Sequence, residues 1–341
     1  MSGFRSYAGM MAHDGGFGGS AEEQSWTASS PLGKKKRSNA MSKSISKEGY
    51  IPVTGGRVWY RVVGTGSGIP LLTLHGGPGA NSGHLEPLTA LADERPVILF
   101  DQLGGGKSDH PNNPNLWVLD RFVEELMQVR DALDLTRFHL YGHSWGTMLA
   151  IEYALDQPVG LVSLILAGPV LSTPRYVQDA NALKRQLPSK VKEAIEHHEA
   201  AGTTDTPEYQ AASGEWMRRH LCRNEPILEG LLKGLGDPVS GINSQVYNTM
   251  QGPSEFAITG NLKDFDRTTR LSEIKVPTLF TCGRYDECTP GATAWYHSLM
   301  PGSEMIVFEQ SAHMTHLEEP ELYVQTLRDF LHKVEGRTSA S

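Results

Sequence analysis

Across residues 41–173 and 271–336, short apolar runs alternate with stretches whose apolar positions recur at helical spacing. That alternation predicts a mostly parallel sheet wound with helices. Residues 70–75 (PLLTLH), 96–101 (PVILFD), 138–141 (FHLY), 162–167 (VSLILA), 277–282 (PTLFTC) and 305–308 (MIVF) read as strands. Continuous apolar runs of this length suit strands buried on both faces of a parallel sheet. Residues 56–63 (GRVWYRVV) alternate instead and lead into a glycine-rich turn, which predicts an edge hairpin. Phe122, Leu126, Val129 and Leu133 mark one helix over 120–133, and 322–334 reads as the last. From 174 to about 270 the alternation stops. Helices with charged faces, such as 189–199 and 214–222, take its place, and this stretch is expected to form a helical cap inserted into the sheet domain.

The first forty residues are rich in Gly, Ser, Ala and Met and end in Lys34-Lys35-Lys36-Arg37. Such a composition cannot bury a core, so a disordered tail is expected. Ser38-Asn39-Ala40 before Met41 looks like a cloning scar, which would make the tail vector-derived. A short C-terminal tail is expected over 337–341. Lys and Arg total 31 against 39 Asp and Glu, a formal charge of -8, with no basic stripe in the periodic part. Nucleic acid is thereby disfavoured as a partner. Cys222, Cys282 and Cys288 fit neither a full set of disulfides nor a common zinc spacing, which points to a reducing cytoplasm and no structural metal. No apolar run reaches the roughly 20 residues of a membrane helix.

The chemistry centres on Gly142-His143-Ser144-Trp145-Gly146, between the strand at 138–141 and the helical stretch from Thr147. Two glycines let the chain reverse sharply and hold Ser144 in a strained, exposed position, with helix amides aimed at charge developing beside it. A serine nucleophile needs a base and an orienting acid. Asp286 follows the strand ending at Cys282 and His313 follows the strand ending at Phe308, in the order Ser, Asp, His. Ser144 would attack a carbonyl, His313 would move the proton, and Asp286 would fix the imidazole. Glu287 competes for the acid role and His316 for that of the base, while Asp264 and Asp266 precede the strand they would have to follow.

His75-Gly76-Gly77-Pro78-Gly79 follows another strand, where a glycine-rich turn can lend a backbone N–H to an oxyanion; Gly77 and Trp145 are the expected donors, with Gly76 beside the substrate. Gly104-Gly105-Gly106-Lys107-Ser108 ends like a phosphate-binding loop, but Asp101 stands where the leading glycine belongs and Pro111 and Pro114 follow where a helix must start. Nucleotide binding is therefore not expected.

These motifs together resemble the prolyl aminopeptidase (proline iminopeptidase) family of α/β-hydrolases, over essentially residue 41 to the end. The stretch from Tyr247 through Gly252-Pro253-Ser254-Glu255-Phe256 to Asp266 is similar to the archaeal tricorn-interacting aminopeptidase and to bacterial L-amino acid amidases. The resemblance implies an α/β-hydrolase fold and a cofactor-free serine aminopeptidase that releases an N-terminal proline or small apolar residue. Its substrates would be short peptides or amino acid amides. It further implies that cap glutamates bind the substrate's free amino group, Glu255 first and Glu225 second. Leu103 stands where the family usually has arginine, and Thr147 where a third small residue is common. An amidase or esterase of the same fold, and an inactive binding protein on a hydrolase scaffold, are the alternatives.

Overall fold

The structure, a computed structural model, describes residues 46–233 and 237–336. The N-terminal tail with its basic tetrad and the segment 337–341 lie outside the described residues.

Eight strands form one sheet in the order β1-β2-β4-β3-β5-β6-β7-β8. They are β1 (Ser46–Val53), β2 (Gly56–Val63), β3 (Leu71–Leu74), β4 (Val97–Phe100), β5 (Phe138–His143), β6 (Leu161–Ala167), β7 (Thr278–Gly283) and β8 (Glu304–Phe308). β1 and β2 form an antiparallel hairpin and β2 runs antiparallel to β4, whereas every pair from β4 to β8 is parallel. The residues of β3, β4, β5 and β7 are buried throughout, as their unbroken apolar runs require. This is the α/β-hydrolase fold, with helices on both faces of the sheet. Packed around the sheet are α1 (Leu119–Ala132), α2 (Trp145–Leu155), α8 (Pro290–Ser298), the short α9 (Thr315–Glu318) and α10 (Pro320–Val334). α10 turns Tyr323, Leu327, Phe330 and Leu331 inward, the i, i+4, i+7, i+8 stripe of an amphipathic helix.

The expected edge hairpin is present: the strand at 56–63 pairs with β1, which takes the outer position and had not been singled out in the sequence. Gly49 and Pro52 and the near absence of alternation hide β1 in the sequence, and proline is tolerated there because an edge strand need not donate on its outer side.

Between β6 and β7 the chain leaves the sheet and folds into α3 (Thr173–Lys184), α4 (Ser189–Ala201), α5 (Pro207–His220), α6 (Glu225–Lys233) and α7 (Ser244–Met250). A bridge between Ser172 and Asp266 closes the base of this excursion, reinforced by the Ser172 hydroxyl donating to Asp266 Oδ2 at 3.0 Å. The end of α5 sits directly on the loops after β7 and β8: the carbonyl of His220 accepts from the amides of Glu287 and His313, both at 3.2 Å, and that of Leu221 from Met314 at 3.0 Å. Cap and sheet thus enclose the carboxyl ends of the strands, where open α/β sheets place their sites.

Candidate active site

Ser144 joins β5 to α2 with φ +53° and ψ -121°, a left-handed conformation that a residue with a Cβ adopts only under constraint. The flanking glycines explain how the turn fits. A Cβ on Gly142 would lie 2.4 Å from the carbonyl oxygen of Gly146, and one on Gly146 would lie 2.3 Å from that of Leu74. The chain doubles back so closely that only hydrogen fits at either position. Ser144 is half-exposed while its neighbours on both sides are buried, so the hydroxyl is what the turn presents.

His313 Nδ1 donates to Asp286 Oδ1 at 2.7 Å. Asp286 is itself held by the amides of Cys288 (2.7 Å) and Gly283 (3.3 Å), so the carboxylate cannot swing away from the ring. The rival histidine is otherwise engaged: His316 Nε2 lies 3.1 Å from His84 Nδ1 in a buried cluster with His143, and burial brings its pKa down to about 3. Burial is the largest single influence on His313 and opposes its charge, but Asp286, Glu287 and Glu255, in that order, together overcome it and lift His313 to about 9. Gly168, after β6, was not singled out in the sequence. A Cβ there would come within 2.6 Å of the His313 ring, so this glycine keeps the seat of the imidazole clear.

The HGGPG turn lies against the serine. A Cβ on Gly76 would reach 2.8 Å from His143 Nδ1 and 3.1 Å from Ser144 Cβ. Gln102 ties this turn to the residue after the serine: its amide N–H donates to His75 Nε2 (3.0 Å), its side-chain amide donates to the His75 carbonyl (3.3 Å), and its Oε1 accepts from the Trp145 indole (2.8 Å). The GGGKS stretch folds as a structural loop. Gly106 N–H donates to the Pro238 carbonyl and Lys107 N–H to Asp101 Oδ2, both at 2.9 Å, so these amides hold the cap and a carboxylate.

A cavity of about 470 Å³ opens between sheet and cap, and Gly76, Gly77, Ser144, Trp145 and His313 all line it. Two carboxylates line it as well. Glu255 accepts from the Tyr247 hydroxyl at 2.5 Å, and Glu287 Oε2 accepts from the Trp216 indole at 3.3 Å. Burial raises the pKa of both and the neighbouring Glu255 adds to the rise of Glu287, while the charge of His313 lowers each. Among the described residues no Lys or Arg lines this wall, and His313 is the group there whose charge opposes theirs.

Comparison with known proteins follows the same lines. A family model described as alpha/beta hydrolase fold matches residues 69–320. A proline iminopeptidase of Heyndrickxia coagulans is 49% identical over 288 residues, which cover 84% of this chain and 99% of that protein. This chain belongs to the proline iminopeptidase family. The solved proline iminopeptidase of Mycobacterium smegmatis superposes with a TM-score of 0.77 at 35% identity, over 84% of this chain and 98% of that one. VinJ superposes with a TM-score of 0.79 at 36% identity, over 84% and 99%.

Within this proline iminopeptidase fold one expected residue does not reach the cavity. Glu225 begins α6 with its side chain 58% exposed and paired to Arg218 Nε at 3.2 Å, so its charge is spent in solvent. Glu225 does not line the cavity, and Glu287 does. It had been weighed only as a rival to Asp286, because adjacency in sequence conceals that the two carboxylates point at opposite nitrogens of His313. Leu103, the departure from the family's arginine, is buried, packs over Gly55 and Gly56, and does not line the cavity. Its amide donates to Glu125, which pairs with Arg121 of α1.

Proposed function

We propose that this chain is a serine aminopeptidase releasing an N-terminal residue, proline or small and apolar, from short peptides or amino acid amides. The observation that carries the reading is the pair Glu255 and Glu287 in the same cavity wall as Ser144 and His313. A free α-ammonium entering a water-poor site must be compensated, and two buried carboxylates with no Lys or Arg beside them in the cavity wall are suited to do it. With the amine held there, the scissile carbonyl lies one carbon away, within reach of the serine.

The proposed reaction uses the chain's own groups. Ser144 Oγ attacks the carbonyl carbon as its proton passes to His313 Nε2, while Asp286 holds Nδ1–H. The amides of Gly77 and Trp145 take the oxyanion. As the C–N bond breaks, the departing amine carries off the proton from His313, leaving an acyl-serine. Water then repeats the sequence, giving its proton to His313 and its hydroxyl to the acyl carbon, and Ser144 recovers its proton. No cofactor enters.

An L-amino acid amidase would use the same groups with ammonia as the leaving group, so the two readings differ only in what lies beyond the scissile bond. Turnover of prolyl, alanyl and bulkier aminoacyl-arylamides, compared with prolinamide and a blocked-amine analogue, tests both. Cleavage confined to free-amine substrates supports the reading, and equal turnover of the blocked analogue overturns the ammonium site. Three buried free thiols suit a reducing compartment such as the cytoplasm. No helix among the described residues is long and apolar enough to cross a membrane.

A further inference from the structure

His313 is held between two carboxylates. Asp286 Oδ1 lies 2.7 Å from Nδ1, the arrangement expected of an orienting acid. Glu287 Oε1 lies 3.8 Å from Nε2, the nitrogen that must receive the serine proton. Side chains of both carboxylates and of the ring are at most 3% exposed, so water screens neither contact. A base flanked in this way is poorly suited to its task in the empty site, because its protonated form satisfies both neighbours at once.

We infer that Glu287 latches the base: in the empty site it faces His313 Nε2 and holds the ring protonated, and a substrate ammonium that draws Glu287 to itself returns the ring to its neutral, proton-accepting form. The inference rests on the ammonium site proposed above and adds a consequence to it. The free amine of the substrate would do more than anchor; it would switch on the group that activates Ser144. Substrates lacking the amine would meet a base that is largely occupied at neutral pH, which is a second layer of selectivity beyond binding.

The other groups around the ring do not supply this charge. His143 from β5, His84 from the turn after β3 and His316 from α9 are kept neutral by burial. Burial also lowers His220 at the end of α5, and raises the Cys288 thiol and the phenols of Tyr176 and Tyr247. Glu318 of α9 is taken up by the amides of Arg223 and Ala312. Glu255, held by Tyr247, contributes the same sign of charge as Glu287 but ranks behind it in its effect on the ring.

The test uses a fluorophosphonate, which reacts with an activated serine and carries no amine. Its rate of labelling Ser144 is followed against pH. In the wild-type protein labelling is expected to rise with pH about a midpoint near 9. In Glu287→Gln, which keeps an acceptor for the Trp216 indole, the midpoint falls by about one unit or more, because an opposite charge at this range is worth that much. Labelling at pH 7 is therefore about tenfold faster than wild type, while turnover of prolyl-arylamide is slower. In the wild type, kcat for prolyl-arylamide should rise at a lower pH than labelling does, since kcat reports the substrate-bound form. His313 titration by histidine-selective NMR gives the same midpoints without chemistry, and Glu287→Ala serves if the glutamine variant does not fold. A wild-type midpoint at or below 7, or a midpoint unmoved by removing Glu287, overturns the latch while leaving the aminopeptidase reading intact. Folded protein that never labels overturns the hydrolase reading and the latch with it.

Discussion

Ser144 and Glu255 face one cavity but are held by different kinds of structure. Ser144 stands on backbone: a parallel strand, a helix, and two glycines whose hydrogens leave no space for anything larger. Glu255 stands on an irregular segment after α7, beside the small bridge of Ser254 with Ala257, and a side-chain hydrogen bond from Tyr247 aims it. The sheet side positions its groups by main-chain geometry that tolerates almost no substitution. The cap side positions charge by side chains that can be trimmed one at a time. Changes at the first should therefore abolish turnover of every substrate, and changes at the second should discriminate among substrates by their amines.

The largest effect expected is that of Ser144→Ala, which should lower kcat on the order of 10⁶-fold on peptide and ester alike and end fluorophosphonate labelling. Steady-state and burst kinetics on both substrate types check it; residual ester turnover well above background would break the assignment. Asp286→Asn comes next. It keeps the geometry but favours the wrong imidazole tautomer, so kcat should drop on the order of 10⁴-fold, again without regard to substrate.

On the cap side, Glu255→Ala should reduce kcat/KM for free-amine substrates roughly 100-fold or more, while a blocked-amine ester changes little. A buried charge that loses its partner costs far more than an uncharged contact, which is why the loss should follow the amine. Equal losses on both substrates would mean that the two regions are not separable. Tyr247→Phe is the mildest change, about tenfold in kcat/KM, the scale of one hydrogen bond to a charged group. Its sign with pH can be stated. The Tyr247 hydroxyl favours ionised Glu255 against the burial that raises it, so deleting it raises that pKa further and the loss should grow as pH falls. A profile unchanged in shape would show that the hydroxyl only packs.

The contrast also marks what could be read from the chain. The strands, the elbow and the order Ser144, Asp286, His313 were legible because local pattern carries them: apolar runs of strand length, glycines at fixed offsets, and polar residues just past strand ends. β1 was missed because a weakly patterned edge strand gains its place from pairing with β2, not from its own residues. Gly168 was missed because the side chain it makes room for, His313, comes from a strand end 145 residues later. Glu225 was expected in the pocket through a motif resemblance; α6 lines the cavity with Ile227, Leu231 and Leu232, whereas Glu225 at its start is exposed and pairs with Arg218.

By itself the sequence determined the parallel strands from β3 to β8, the elbow at Ser144 and the order in which Asp286 and His313 follow it. These depend on periodicity and on backbone sterics within a few residues. Only the tertiary structure decided which carboxylates share the cavity and which nitrogen of His313 each one faces. The physical reason is that electrostatic pairing depends on distance through a folded interior. Neighbours in sequence such as Asp286 and Glu287 can face opposite sides of one ring, while Glu255 and Glu287, 32 residues apart, line the same cavity.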